Sequence, residues 1–160
     1  MNPYASHLEG RDPFAVIAET AQQLAKLVHS LDSKALDKAP APGKWSIRQI
    51  LTHLADCELV FGFRLRQTVA QDNHTVQPFD QDQWVNTFHY GDQDATQLIR
   101  AFTPIRRVNL ELLQNVDREL FNKPAKHPVW GAITVGQLVI HLAAHDTNHL
   151  QQIRDRVPAV

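Results

Sequence analysis

Apolar positions recur at helical spacing in four long segments, and strict alternation at period two is nearly absent, so the chain reads as helices joined by loops. The first helix is predicted from Pro13 to Leu31, with Phe14, Ile17, Ala18, Ala21, Leu24, Ala25 and Val28 along it. Ala35 to Lys44, which holds Pro40, Pro42 and Gly43, is a loop. Ser46 is a good N-cap and opens a long second helix that continues to about Ala70 through Ile47, Ile50, Leu51, Leu54, Phe61 and Leu65. Asp72 to Asp92 is polar, contains Pro78 and Gly91, and reads as a long crossover anchored by Phe79, Trp84 and Phe88. Connectors of that length are functional more often than idle. The third helix, Asp94 to Val116, carries Leu98, Ile99, Phe102, Ile105, Val108, Leu112 and Leu113, and Pro104 inside it is expected to kink or split it. A second loop, Asn122 to Gly131, holds Pro124, Pro128 and Trp130, after which Thr134 caps a last helix running to about Asp155. Two short loops and one long crossover suit an all-α four-helix bundle whose spatial neighbours are not sequential.

Length and composition narrow the function. At 160 residues and 43% hydrophobic, residues 1–160 are expected to form one domain. Sixteen Lys and Arg against seventeen Asp and Glu leave a net charge of -1, which carries no footprint for nucleic acid or an anionic membrane. No stretch approaches the roughly 18 consecutive apolar residues of a membrane span, and Met1 to Arg11 lacks the apolar core of a secretory signal. A cytoplasmic protein is expected. The single cysteine, Cys57, excludes an intramolecular disulfide and fits a reducing compartment.

Nine histidines stand out, and the chemistry concentrates in the last helix. Its core stripe steps by three and four through Val135, Leu138, Leu142, His145 and His149. An i, i+4 pair projects two imidazoles from one face, a separation that can grip one ion at Zn–N distances of about 2.0–2.1 Å. The bland alternative is a pair of partly buried histidines bonded to neighbours, and His141 with His145 makes a second such pair. The second helix weighs toward ligation. There Ile50, His53, Cys57 and Val60 form another such stripe and turn a third histidine inward. Burying three neutral imidazoles without partners is costly, whereas one metal ion satisfies all three acceptors. His7, His29, His74, His89 and His127 read as solvated. Asp56, Glu58 and Asp146 read as surface charges, with hydrogen bonding to ligand N–H groups or a general-base role as the alternative. Cys57 reads as a small core filler, with a fourth ligand position as the alternative that would close the site. Trp45, Trp84 and Trp130 read as loop anchors, and Arg64 and Arg66 face either solvent or an anionic substrate group.

Four stretches carry a resemblance. They are Pro42-Gly43-Lys44-Trp45-Ser46-Ile47-Arg48-Gln49-Ile50-Leu51, His53-Leu54-Ala55-Asp56 with Glu58, Pro78-Phe79-Asp80-Gln81-Asp82-Gln83-Trp84, and Ile133-Thr134 leading to His145-Asp146-Thr147-Asn148-His149 with Gln152. In this order and spacing the chain resembles the DinB/YfiT-like family of bacterial four-helix metalloproteins over nearly its whole length. The resemblance implies an up-down-down-up bundle, a homodimer, and one divalent ion (nickel or zinc, with manganese or iron also used) on His53, His145 and His149, with His141 behind them. Family members include thiol S-transferases and metal-dependent hydrolases. Three neutral ligands leave the ion its +2 charge and one open position in a tetrahedral scheme. The expected function is therefore activation of a small-molecule thiol for transfer to an electrophile, with no nucleic-acid or membrane partner. Hydrolysis by an activated water is the nearest rival, and a non-catalytic metal-binding stress-response protein is the third reading.

Overall fold

The computed structural model describes residues 5–29 and 31–157. Four long helices form the bundle: α1 (Pro13–Val28), α3 (Ile47–Ala70), α5 (Ala95–Gln114) and α6 (Val135–Arg154), with short helices α2 (Ser33–Asp37) and α4 (Gln81–Thr87) in the connections. Each long helix begins at a side chain that accepts from its first-turn amides: Asp12, Ser46, Asp94 and Thr134. Ser46 with Gln49 and Thr134 with Gln137 form complete capping boxes, which fix the start, and hence the facing, of the two helices that carry the inward histidines.

In cross-section α1 packs on α5 and α6, and α3 packs on α5 and α6, so α1 sits diagonally to α3 and α5 to α6, while α3 and α5 are neighbours joined by the crossover. Side-chain pairs give the directions. Thr20 bonds Asp146 and Gln23 bonds Arg154, so α1 and α6 run together. Ile47 to Leu54 pack with Ala95 to Phe102 while Glu58 meets Arg106, so α3 and α5 also run together. His53 faces His145 while Phe61 faces His141, so α3 and α6 are opposed. The order is up-down-down-up, with a long crossover from α3 to α5, as the resemblance implied.

Three local expectations are corrected. The loop from Ala35 begins inside α2, which Asp32 caps. Helix α5 is not split: Pro104 is exposed, and the Arg100 carbonyl that it leaves without an intrahelical donor is on an exposed residue, open to solvent. The expected loop Asn122 to Gly131 holds a hairpin, β1 (Pro124–His127) paired antiparallel with β2 (Gly131–Thr134). Its three-residue turn closes at Gly131, whose φ of 76° is the left-handed conformation that such turns require. The hairpin is tied to the crossover by Val76 N–H donating to Lys126 O at 2.8 Å and Lys126 N–H to His74 O at 2.9 Å.

Glycine matters at one helical position. A Cβ on Gly62 would lie 2.6 Å from both Asn109 side-chain polar atoms, so α3 and α5 approach this closely only because position 62 has no side chain.

Candidate metal centre

Helix α3 delivers His53 and Cys57, and α6 delivers His141, His145 and His149, all buried. The Nε2 atoms of His53 and His145 are 3.0 Å apart, and those of His149 and His145 are 3.2 Å apart. The Gln152 side-chain oxygen lies 3.1 Å from His149 Nδ1, so that nitrogen donates and leaves the Nε2 lone pair turned toward His145. Burial, and then the neighbouring His149, lower the His53 pKa to about 3; burial lowers that of His149 to about 4 and that of His145 well below the usual value. All three rings are neutral at pH 7. Three neutral imidazoles with ring nitrogens turned on one another are a donor set that fits a divalent cation.

Cys57 Sγ sits 3.4 Å from His53 Nε2, and the tightest group of three donors is His53, Cys57 and His145 rather than the histidine trio. The two sets share His53 and His145. Burial raises the Cys57 thiol pKa, so the sulfur is protonated in the metal-free chain. Trp45 walls the trio on one side, its ring 4.8 Å from His53 and stacked at 6.4 Å on His149.

On the other side a slot of about 240 Å³ leads from His53, Cys57 and His145 past Phe61 and His141 to Arg64. The crossover supplies Pro78, Phe79 and Gln81 to its wall, and the hairpin supplies His127 and Trp130. Of the three aromatic anchors of the crossover, Phe79 lines the slot. Trp84 packs behind it at 4.6 Å, and Phe88 is exposed.

His127 is a further correction: it is buried, not solvated. Its ring stacks on Trp130 at 3.9 Å, and its Nδ1 accepts the backbone N–H groups of Val129 and Trp130, so the neutral ring carries its proton on Nε2. The hairpin makes this position inward, and a four-residue strand between prolines gave too short an alternation to reveal it. His141 packs between Trp130 and Phe61, and burial lowers its pKa to about 4.

Glu58 and Asp146 are not surface charges either; both are 0% exposed. Arg106 donates through Nε to Glu58 at 2.7 Å and through Nη1 to Asp146 at 2.5 Å. Asn109 and Thr20 complete the carboxylates' bonds. Asp56 accepts from the Tyr90 hydroxyl. Arg106 and Asn109 lie on the inward stripe Phe102, Arg106, Asn109, Leu113, which an apolar rule passes over in favour of Val108, 50% exposed.

Residues 17–153 match the family model described as the DinB superfamily. A protein of Oceanobacillus iheyensis named "Putative metal-dependent hydrolase" is 30% identical over 137 residues, 82% of this chain and 76% of the relative. A second from that organism with the same designation is 27% identical over 139 residues, 86% and 79% of the two chains. Among solved structures, YfiT from Bacillus subtilis, described as "a probable metal-dependent hydrolase with an unusual four-helix bundle topology", superposes with a TM-score of 0.78 at 21% identity, covering 90% of this chain and 85% of that one. With the bundle order, the inward histidines and a family match over most of its length, the chain belongs to the DinB superfamily.

Proposed function

We propose that this protein is a metal-dependent hydrolase holding one divalent ion on His53, His145 and His149. The observation that carries the reading is the convergence of three neutral imidazoles, two of which, His53 and His145, line an aromatic slot. The names of the relatives favour hydrolysis over the thiol transfer that the sequence first suggested. A divalent ion in such a site supplies Lewis acidity, which polarises a carbonyl and lowers the pKa of a water toward about 7.

The chain's own residues do the rest. Gln152 fixes the His149 tautomer, and Trp45 holds the rings of His53 and His149 in place. Phe61, Phe79 and Trp130 keep bulk water from the slot. Glu58 and Asp146 are engaged by Arg106, and Asp56 by Tyr90, so no carboxylate among the described residues faces the slot as a base. Proton transfer falls to the slot histidines, with the His127 Nε2–H as a donor. Thiol transfer is supported by one feature: a second opening, lined by Lys44, Trp45, Asn148 and Gln152, reaches His149, which does not line the first slot, so two substrates could approach separately.

The test is a panel of esters and amides, and of small thiols with a generic electrophile, offered to the protein loaded in turn with zinc, nickel, manganese and iron. Hydrolysis that requires all three histidines is expected. Thiol consumption without hydrolysis would replace this reading with the transferase, and full loading with neither reaction would leave a metal-binding protein.

A further inference from the structure

Two arginines are buried in this bundle, and they are partnered differently. Arg106 is held between two carboxylates. Arg64 is also buried, at 5% exposure, though less deeply, and among the described residues it forms no ion pair. One Nη donates to the Gln77 carbonyl at 2.6 Å, the plane lies near the Phe61 and Phe79 rings at 5.7 and 5.5 Å, and the buried Nε–H has no hydrogen-bond partner. A buried guanidinium is ordinarily compensated by an anion.

Arg64 stands at the end of the slot away from the trio. On α3 the slot-facing positions run His53, Cys57, Phe61, Arg64, and the eleven steps from His53 to Arg64 span about 16 Å of helix axis at 1.5 Å per residue. Among the described residues no aspartate or glutamate lines the slot, and its middle is aromatic. The cavity is therefore electropositive at both ends once an ion is bound and apolar between them.

We propose that Arg64 is the specificity-determining residue of this site, gripping a carboxylate or phosphate group of the substrate while the bond to be cleaved reaches the histidine trio. The substrate class is an anionic ester or amide with an apolar spacer between its charge and its reacting group. A planar guanidinium suits either oxyanion, because its paired N–H groups match two oxygens at once. The proposal rests on the hydrolase reading for the word substrate, but the anion subsite stands or falls by itself.

The test uses glutarate, its neutral diamide and inorganic phosphate, titrated calorimetrically into the metal-free and the zinc-loaded protein. Metal-free protein is expected to prefer at least one of the two anions over the diamide by about tenfold or more; the glutarate and phosphate arms say whether the natural group is carboxylate or phosphate. Arg64→Met should abolish the preference with zinc content unchanged, and Arg64→Lys, which keeps the charge but loses the fork, should reduce it about threefold. If Arg64→Met does not fold, Arg64→Lys decides: an undiminished preference overturns the proposal. So does an anion preference that appears only with zinc, which would place the anion on the ion. Anion binding without hydrolysis of any ester or amide would sink the hydrolase reading alone, and hydrolysis with equal rates on charged and neutral substrates would sink this one alone.

Discussion

Helices α3 and α6 each contribute to two buried polar clusters, and the two are built on opposite principles. His53 and His145 belong to the histidine trio; Glu58 and Asp146, a short step further along the same helices, belong to the cluster around Arg106. In the ionic cluster donors meet acceptors: Arg106 Nε, Nη1 and Nη2 all reach carboxylate oxygens, and Asn109 bridges Glu58 to Arg66. In the trio, nitrogens face nitrogens, and each neutral ring has one proton to offer. Equal burial therefore means different things. The ionic cluster joins charges of opposite sign and clamps α1, α3, α5 and α6 together, whereas the trio gathers neutral rings into a donor set that fits a divalent cation.

The sharpest way to break this contrast is to remove the centre of each cluster from the metal-free protein. Arg106→Ala strands two buried carboxylates and should destabilise the fold by about 3–5 kcal/mol in denaturant unfolding. His145→Leu, of similar volume, should change stability by less than about 1.5 kcal/mol. Equal losses would mean that the trio is as structural as the ionic cluster.

Metal affinity should show the reverse order of importance. His145→Leu is expected to weaken zinc binding by more than about 100-fold, beyond the range of an outer-shell change, and Gln152→Ala, which frees the His149 tautomer, by about tenfold. Competition titration against a chelator measures both. Cys57→Ala should stay within about threefold of wild type. A loss matching that of His149→Ala would put sulfur among the ligands and close the site.

Acid sharpens the comparison further. His53, His141 and His149 have pKa values lowered from about 6.5 to about 3, 4 and 4, so between those limits the unfolded chain binds more protons than the folded one. Metal-free stability should hold above pH 6.5 and fall as pH drops toward 4, and His141→Phe should flatten the slope measured by urea unfolding. A slope unchanged by that substitution would remove His141 from the account.

The smallest expected effect separates the two aromatic residues of the crossover. Phe79→Ala should raise KM about fivefold, the worth of one aromatic contact, and Trp84→Ala less than twofold, since it touches the slot only through Phe79. Steady-state kinetics on whichever ester or amide is hydrolysed reads the difference.

The bundle was legible because its caps and stripes are local. Ser46 and Thr134 announce their helices, and Val135, Leu138, Leu142, His145 and His149 occupy the inward face that their spacing predicts. What escaped is polar residues on inward faces. Arg106 and Asn109 sit where an apolar rule expects aliphatic side chains, and each is intelligible only with its partner on another helix. His127 escaped for a different reason. Its burial depends on a hairpin of two four-residue strands and on a bridge from Thr75 to Lys126, pairings between distant segments that no window along the chain contains.

The close approach of α3 and α5 at Gly62 has a consequence for anyone who wishes to redesign the protein. Position 62 lies between Phe61 and Arg64 on the helix that lines the slot, yet its missing side chain makes room for Asn109, which bonds Glu58 and Arg66. A library that varies 61, 64, 79, 127 and 130 can reshape ligand choice while 62 and 109 are held as one unit. Randomising 62 alone would push α5 outward and scatter the ionic clamp, so losses of activity in such a library would report broken architecture instead of altered selectivity.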